Sequence, residues 1–280
     1  MKQIFSLTLI SLLFISCGDQ QSNTKKTSLQ IYDLNQTTIV DNVCYEKNST
    51  KKITGVVRAY AKDEQNLSKL LFEAPVLNGI PHGIRVKYYS SGNIHIKSSY
   101  EQGKREGDTT IYYPNGKTKS ITPYHQNKID GIEKYYNQNG ILLLEISYKS
   151  GQKEGISKQY YPSGKLQYET PFKKGKIDGI KKGYYENGTI GVELSYKNGQ
   201  KEGVRRSYYP SGQLKEENTY HNDLLDGEIK NYYESGELHL KATFEAGHCI
   251  GEKIEYDKSS KVIERVQCEE NKEHNSTDNR

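Results

Sequence analysis

Histidine pairs are the first place to look for metal or acid–base chemistry, because imidazole serves both purposes. Two pairs occupy matching positions in a repeating pattern, His95 with His239 and His125 with His221. If the pattern folds as one sheet, the first pair is separated by roughly 58 Å and the second by about 38 Å. Metal ligands converge within about 2–2.3 Å of the ion, so neither pair can share one. We expect no metal site and no cofactor.

Acidic residues that recur every 24 positions raise the question of paired-carboxylate chemistry. The column comprises Glu106, Asp130, Glu154, Asp178, Glu202 and Asp226. Adjacent members of this column would lie near the upper limit of the roughly 5–9.5 Å that glycoside hydrolysis requires. Each one precedes a turn glycine, however, where carboxylates commonly cap backbone N–H groups or pair with lysine. We therefore predict structural carboxylates and no catalytic residues, with a shallow cation-binding edge as the alternative.

The N-terminus has the pattern of an export signal. Lys2 precedes an apolar run from Ile4 to Ile15, which is too short to span a bilayer comfortably. The run leads to Cys17 and a polar stretch, which resembles a bacterial lipoprotein signal whose cysteine becomes diacylglyceryl-modified. Phe14 departs from the leucine usual in such signals, and an ordinary secretory signal is the alternative. We expect lipidation at Cys17 and a cell-envelope location, anchored to a bacterial membrane and facing the periplasm or the exterior.

Three further cysteines follow Cys17. Cys249 and Cys268 flank a turn near residues 258–260, so they should lie roughly opposite each other. Either a disulfide staples this end of the chain, as an oxidising envelope permits, or both thiols are free. Cys44 lies at the far end and cannot reach either of them.

Glycines recur along the chain with a strict 24-residue period, which predicts the structural units that carry these residues. One glycine column comprises Gly83, Gly107, Gly131, Gly155, Gly179, Gly203, Gly227 and Gly251. A second comprises Gly92, Gly116, Gly140, Gly164, Gly188, Gly212 and Gly236. A third comprises Gly79, Gly103, Gly151, Gly175, Gly199 and Gly247, with Asn127 and Asp223 at its gaps. Because Asn and Asp are the usual substitutes where φ is positive, this third column predicts left-handed turn residues.

Within each unit the pattern predicts a β-hairpin. In one unit Ile180 and Tyr184 share a face by two-residue alternation, and Leu194 and Tyr196 do so after the turn. No segment carries a helical period. The fold class is therefore all-β: an elongated, single-layer antiparallel sheet of tandem 24-residue hairpins. Each hairpin would advance the sheet by roughly 9.6 Å, giving a ribbon on the order of 70 Å long.

Paired tyrosines accompany the period, as in Tyr160-Tyr161. We expect the first tyrosine of each pair to lie in a buried aromatic column, where cross-strand pairs contribute roughly 0.2–1 kcal/mol each. The second should point to the other face or onto the turn, where it packs locally or meets a partner. The candidate partner-binding face comprises Tyr89, Tyr113, Tyr161, Tyr185, Tyr209 and Tyr233.

The repeated pattern resembles the MORN repeat variant. It reads GKIDGIKKGYYENGTI at residues 175–190, the resemblance covers about residues 79–256, and a divergent copy stands at TGVVRAY, residues 54–60. Bacterial proteins of this type are often described as antitoxins of the YwqK family. The resemblance implies a repeat scaffold, and for the antitoxin-type relatives a partner toxin that is neutralised by direct binding.

Composition and periodicity together divide the chain into five parts. We predict a signal peptide at residues 1–17, a flexible tether at 18–40, an N-terminal cap at 41–78, the repeats with a C-terminal capping hairpin at 79–268, and a disordered tail at 269–280. The net charge is +5, but basic and acidic residues are interleaved along the chain. This distribution does not favour a nucleic-acid partner.

The functional prediction is a non-enzymatic, lipid-anchored scaffold of the bacterial cell envelope. A protein is the first choice of partner, with a polysaccharide or lipid headgroups as alternatives and the membrane contacted through the N-terminal lipid. An antitoxin-like protein is the second hypothesis. Export of the chain would separate it from a cytosolic toxin.

Overall fold

The computed structural model describes residues 29–62 and 68–268. The predicted signal peptide, Cys17 and the predicted tail lie outside these residues. Residues 31–40, which the sequence places in the tether, contain two strands and a 3₁₀ turn at Leu34–Gln36. The ordered part of the chain therefore begins earlier than expected.

Strands make up most of the described chain, and no part of residues 29–62 or 68–268 forms an α-helix. The strands are β1 (Ile31–Asp33), β2 (Thr37–Val40), β3 (Val43–Glu46), β4 (Gly55–Lys62), β5 (Ser68–Leu77), β6 (Ile80–Pro81), β7 (Gly83–Tyr88), β8 (Ile94–Glu101), β9 (Lys104–Tyr112), β10 (Thr118–His125), β11 (Lys128–Ile129), β12 (Gly131–Tyr136), β13 (Leu142–Lys149), β14 (Gln152–Lys153), β15 (Gly155–Tyr160), β16 (Leu166–Lys173), β17 (Lys176–Ile177), β18 (Gly179–Tyr184), β19 (Ile190–Lys197), β20 (Gln200–Tyr208), β21 (Leu214–His221), β22 (Leu224–Tyr232), β23 (Leu238–Glu245), β24 (His248–Tyr256) and β25 (Val262–Gln267).

The strands form one long open sheet in chain order, which confirms the predicted fold class. From β4 to β25 neighbouring strands pair antiparallel in chain order. The two-residue strands β6, β11, β14 and β17 pair with the preceding strand, and the strand that follows each of them pairs with that same strand. Strand β1 adds to β4 in parallel and forms the opposite edge. Strands β2 and β3 make a separate hairpin.

Two turn types, both built on positive φ, alternate along the sheet. At one edge Lys174 (φ 50°) and Gly175 (φ 81°) form a two-residue turn whose backbone matches the twist of a hairpin. Asn127 (φ 68°) and Asp223 (φ 69°) adopt the same conformation where glycine is missing, which confirms that prediction. At the other edge the turn is wider: the Tyr161 N–H donates to the Lys165 carbonyl, and the Gly164 N–H donates to the Tyr161 carbonyl.

The sheet has two faces, which we name by their contents in the unit of residues 155–178. The cavity face carries Ser157 on β15, with Tyr168 and Thr170 on β16. The isoleucine face carries Ile156 on β15 and Glu169 on β16.

A hydrophobic core exists mainly at the N-terminal end. Tyr32, Cys44, Ile53, Val57 and Val76 pack there as one buried cluster. In the repeats, several of the most buried side chains are polar instead: Ser98, Ser120, Thr122, Glu133, Ser157 and Ser207.

The first tyrosine of each pair is less buried than we predicted. These rings are half-buried, and Ile180 on the same face is 51% exposed. The reason is that the sheet is a single layer, and no other part of the described chain packs on the face that carries these tyrosines.

Candidate interaction surfaces of the repeat sheet

The second tyrosine of each pair links one repeat to the next. The Tyr161 hydroxyl donates to the backbone carbonyl of Tyr184, 23 residues ahead, at 2.7 Å. The same contact, at 2.7–2.9 Å, is made by Tyr89, Tyr113, Tyr185, Tyr209 and Tyr233. Asn137 occupies the equivalent position in the remaining repeat and instead accepts from the N–H groups of its own turn. The hydroxyls of the candidate partner face are therefore committed to the array.

Four of these six outer tyrosine rings are also partly covered by a histidine or a lysine. His95 stacks on Tyr89 with ring centroids 4.2 Å apart, and His239 packs on Tyr233 at 4.3 Å. At the equivalent place, the Lys215 ammonium lies over another outer tyrosine. These contacts account for the first histidine pair.

In four of the six tyrosine pairs the first tyrosine donates to a glutamate of the preceding repeat. The Tyr160 hydroxyl donates to Glu145 at 2.7 Å, and the Tyr184 hydroxyl donates to Glu169 at 2.8 Å. Burial of the ring, and then the hydrogen bond to glutamate, raises the pKa of each tyrosine to about 12. Lysines flank the same glutamates, with Lys158 3.7 Å from Glu169.

The acidic column caps the turns, as predicted. Glu154 accepts from the Lys174 N–H at 2.7 Å, and Glu202 accepts from the Asn222 N–H at 3.0 Å. Glu202 Oε1 also lies 2.9 Å from His221 Nδ1, and Glu106 Oε1 lies 2.8 Å from His125 Nδ1. Each histidine of the second pair therefore contacts a turn carboxylate. Within the described ranges, no group of three or more His, Cys, Asp or Glu residues is placed to hold a metal ion.

A stripe of exposed isoleucines follows one face of the sheet, and we name it the isoleucine stripe. It comprises Ile84, Ile132, Ile156 and Ile180, which are 46%, 48%, 51% and 51% exposed. The stripe has a signal in the sequence, since each of these isoleucines directly follows one of the glycines that recur every 24 residues from Gly83 to Gly251. Sequence reasoning missed the stripe because alternation does not reveal whether a face is covered.

Two cavities open on the opposite, cavity face. One, of about 300 Å³, lies between β7 and β10 and is lined by Arg85, Ser98 and Arg105 among others. The other, of about 350 Å³, brings Tyr161 and Tyr185 to its walls beside Gly183.

Of the three cysteines in the described residues, two form a disulfide and one is free, which is one of the two arrangements that the sequence allows. Cys249 and Cys268 form a disulfide with Cα atoms 5.5 Å apart, joining β24 to the end of β25. Cys44 is buried in the N-terminal core, and burial raises the pKa of its thiol. In the described residues no helix is long and apolar enough to cross a membrane.

Comparison with known proteins identifies the repeats. Seven consecutive segments match the model of the MORN repeat variant: residues 81–102, 105–126, 129–150, 153–174, 177–198, 201–222 and 225–246. No curated protein sequence matches the chain. MORN repeats generally serve in protein or membrane interaction, and their scaffold is typically non-catalytic. Because the matched segments cover more than half of the sequence, the chain belongs to the MORN repeat variant family.

Proposed function

We propose that the chain is a non-enzymatic interaction scaffold of the bacterial cell envelope, held to a membrane through lipid on Cys17, and that it binds a protein along the isoleucine stripe. The observation that supports this most is the stripe itself. Exposed isoleucines recur in register in three consecutive repeats and in one earlier repeat of an uncovered face, and a row of exposed apolar side chains of this kind is typical of a protein contact surface.

The chemistry of the tyrosines favours a protein over a polysaccharide. Sugars stack on open aromatic rings, whereas four of the six outer tyrosine rings contact a histidine or lysine and the hydroxyls of all six are bonded within the array. A protein partner instead needs apolar anchors surrounded by polar groups. The isoleucine face provides them, with ion pairs such as Lys182 to Glu193 beside the stripe.

Affinity capture from cells tests the binding surface. In one variant Ile132, Ile156 and Ile180 become serine, and in a matched control Val262, Ile263 and Val266 on β25, also exposed, become serine. We expect the first variant to lose a specific partner by at least about tenfold and the control to keep it, because apolar anchors dominate such interfaces. Equal capture by both variants, at unchanged thermal stability, would contradict the proposal.

Palmitate labelling with cell fractionation tests the anchor. The wild type should be labelled and membrane-bound, and Cys17→Ser should be neither. A wild type that is unlabelled and soluble in the cytoplasm would remove the envelope assignment. A captured partner that is toxic when expressed alone would then favour the antitoxin role.

A further inference from the structure

An uncompensated positive charge surrounds the cavity between β7 and β10. Arg85, Lys87 and Arg105 line it, and no carboxylate belongs to its lining. Across the described chain these three residues have no ion pair, whereas lysines elsewhere on the sheet face glutamates, as Lys134 faces Glu145 at 3.6 Å. The three charges are therefore not neutralised by the protein around them.

In a later repeat, the arginine at the position of Arg85 is neutralised by a glutamate. Arg205 occupies the same repeat position as Arg85, 120 residues on, and pairs with Glu216 at 2.6 Å. The residue that corresponds to Glu216 beside Arg85 is Ile96. In addition, the Nε atom of Arg85 is buried and has no hydrogen-bond acceptor among the described residues. A buried donor without a partner is costly, and it points to an acceptor from outside the chain.

The guanidinium groups of Arg85 and Arg105 are held in place by aromatic rings, which do not neutralise their charge. The Arg85 guanidinium lies over the Phe72 ring at 4.7 Å, and the Arg105 guanidinium lies over the Tyr124 ring at 4.3 Å. Stacking fixes the planes of the groups and leaves their N–H donors available. A ligand that arrives therefore meets donors that are already ordered.

Hydroxyl groups complete the lining. Ser98 is 6% exposed, and its oxygen accepts from the Thr109 hydroxyl at 3.2 Å, so its own proton is available to donate. Thr122 instead donates to Glu133 on the neighbouring strand β12 at 2.8 Å. Burial of the rings, and then the nearby Glu133 carboxylate, raise the pKa values of Tyr135 and Tyr148, so Glu133 lies among hydroxyls rather than among the cations.

We propose that this cavity binds a small phosphomonoester, with Arg85, Arg105 and Lys87 neutralising the phosphate and Ser98 donating to one of its oxygens. A phosphate dianion offers more charge and more acceptor oxygens than a carboxylate, and arginine matches it with paired hydrogen bonds. The volume of about 300 Å³ is at the lower end of small-molecule sites. Ile96 and Ile111 provide an apolar wall for the organic part. The site goes beyond the proposed scaffold function and lies on the opposite face.

Isothermal titration calorimetry of the purified full-length chain with inorganic phosphate and glycerol 3-phosphate tests the site. Arg85→Gln removes one charge, and Ile96→Glu introduces the carboxylate that Glu216 supplies in the later repeat. Each change should weaken phosphate binding at least about tenfold, the scale of a lost charge-assisted hydrogen bond.

Arg206→Gln is the matched control, because it removes the same charge from the isoleucine face, where Arg206 pairs with Glu217. It should leave binding unchanged, and the thermal midpoints should show that all variants are folded. No binding of either phosphate by the wild type would overturn the proposal. So would an equal loss in Arg206→Gln, or tighter binding of succinate than of both phosphates.

Discussion

At the scale of the residue, the paired tyrosines explain how so polar a chain forms an ordered array. The second hydroxyl of each pair donates to a backbone carbonyl of the next repeat, and in four of the six pairs the first hydroxyl donates to a glutamate of the preceding repeat. Tyr184 and Tyr185 make these two bonds at 2.8 Å each. A single hydrogen bond contributes only about 0.5–1.5 kcal/mol net, so the effect depends on repetition. Tyrosine is suited to both roles because it combines an apolar ring with a polar tip.

Removing one hydroxyl should therefore cost measurable stability. Tyr185→Phe keeps the ring and leaves the Tyr208 carbonyl without its donor, so we expect a loss of about 0.5–1.5 kcal/mol in denaturant unfolding. Tyr168→Phe is the control, since the Tyr168 hydroxyl forms no hydrogen bond with the described residues. Equal stability of the two variants would contradict the linking role.

The contact between Glu202 and His221 predicts a pH dependence. The hydrogen bond and charge of Glu202 raise the pKa of His221 above 6.5, so that contribution to stability is lost as the pH rises through the folded pKa. The Asn222 N–H, and then His221, lower the pKa of Glu202 below 4.5. The contribution of Glu202 to stability is therefore lost as the pH falls through this lowered pKa of the folded state. The contact is thus strongest between about pH 4.5 and 6.5.

Proton NMR titration tests this directly. Glu202→Gln should return the pKa of His221 toward its ordinary value. Glu154→Gln removes a similar turn cap two repeats earlier, where no histidine is bonded, and should leave the pKa of His221 unchanged. A His221 pKa that does not respond to Glu202→Gln would show that the contact is absent in solution.

At the scale of the element, the hairpins were predictable because their turns require particular residues. Glycine, asparagine and aspartate at one column imply positive φ, and the strands between them follow from alternation. The forward contact of the outer tyrosines was not predictable, because the acceptor is a backbone atom 23 residues away. The parallel pairing of β1 with β4 likewise has no local sequence signal, since it depends on the return of the chain across the N-terminal core.

Substitutions at Gly175 test the turn argument. Its φ is 81°, and no atom lies within 4 Å of where a Cβ would be placed, so only backbone conformation limits the residue. Gly175→Asn should cost less than about 1 kcal/mol, whereas Gly175→Val should cost about 2 kcal/mol because branched side chains disfavour this region. Equal unfolding free energies for the two variants would contradict the turn assignment.

The disulfide should act on the last strand alone. Among the described residues strand β25 pairs with β24 alone and is exposed along its length, so the bond between Cys249 and Cys268 adds a covalent restraint to a single ladder of backbone pairs. After reduction we expect faster amide hydrogen exchange in residues 262–267 and unchanged exchange in β18 and β19. Uniform acceleration throughout the sheet would mean that the disulfide stabilises the whole array.

At the scale of the whole molecule, an open single-layer sheet leaves both faces available for different tasks. The polar cavity face contains the positively charged cavity, and the opposite face presents the isoleucine stripe. The sequence predicted the sheet and the residues that share a face. It could not show that both faces are uncovered, because that depends on whether another part of the described chain packs on the sheet and not on any local pattern.

The most direct test of this account is site-specific photo-crosslinking in cells from two positions on strand β15. Position 156 lies on the isoleucine face and position 159 on the cavity face, and both side chains are exposed. We predict that a crosslinker at position 156 forms a discrete adduct with one protein and that the same group at position 159 does not. An adduct from position 159 alone, or none from position 156, would contradict the assignment of the isoleucine stripe as the binding surface.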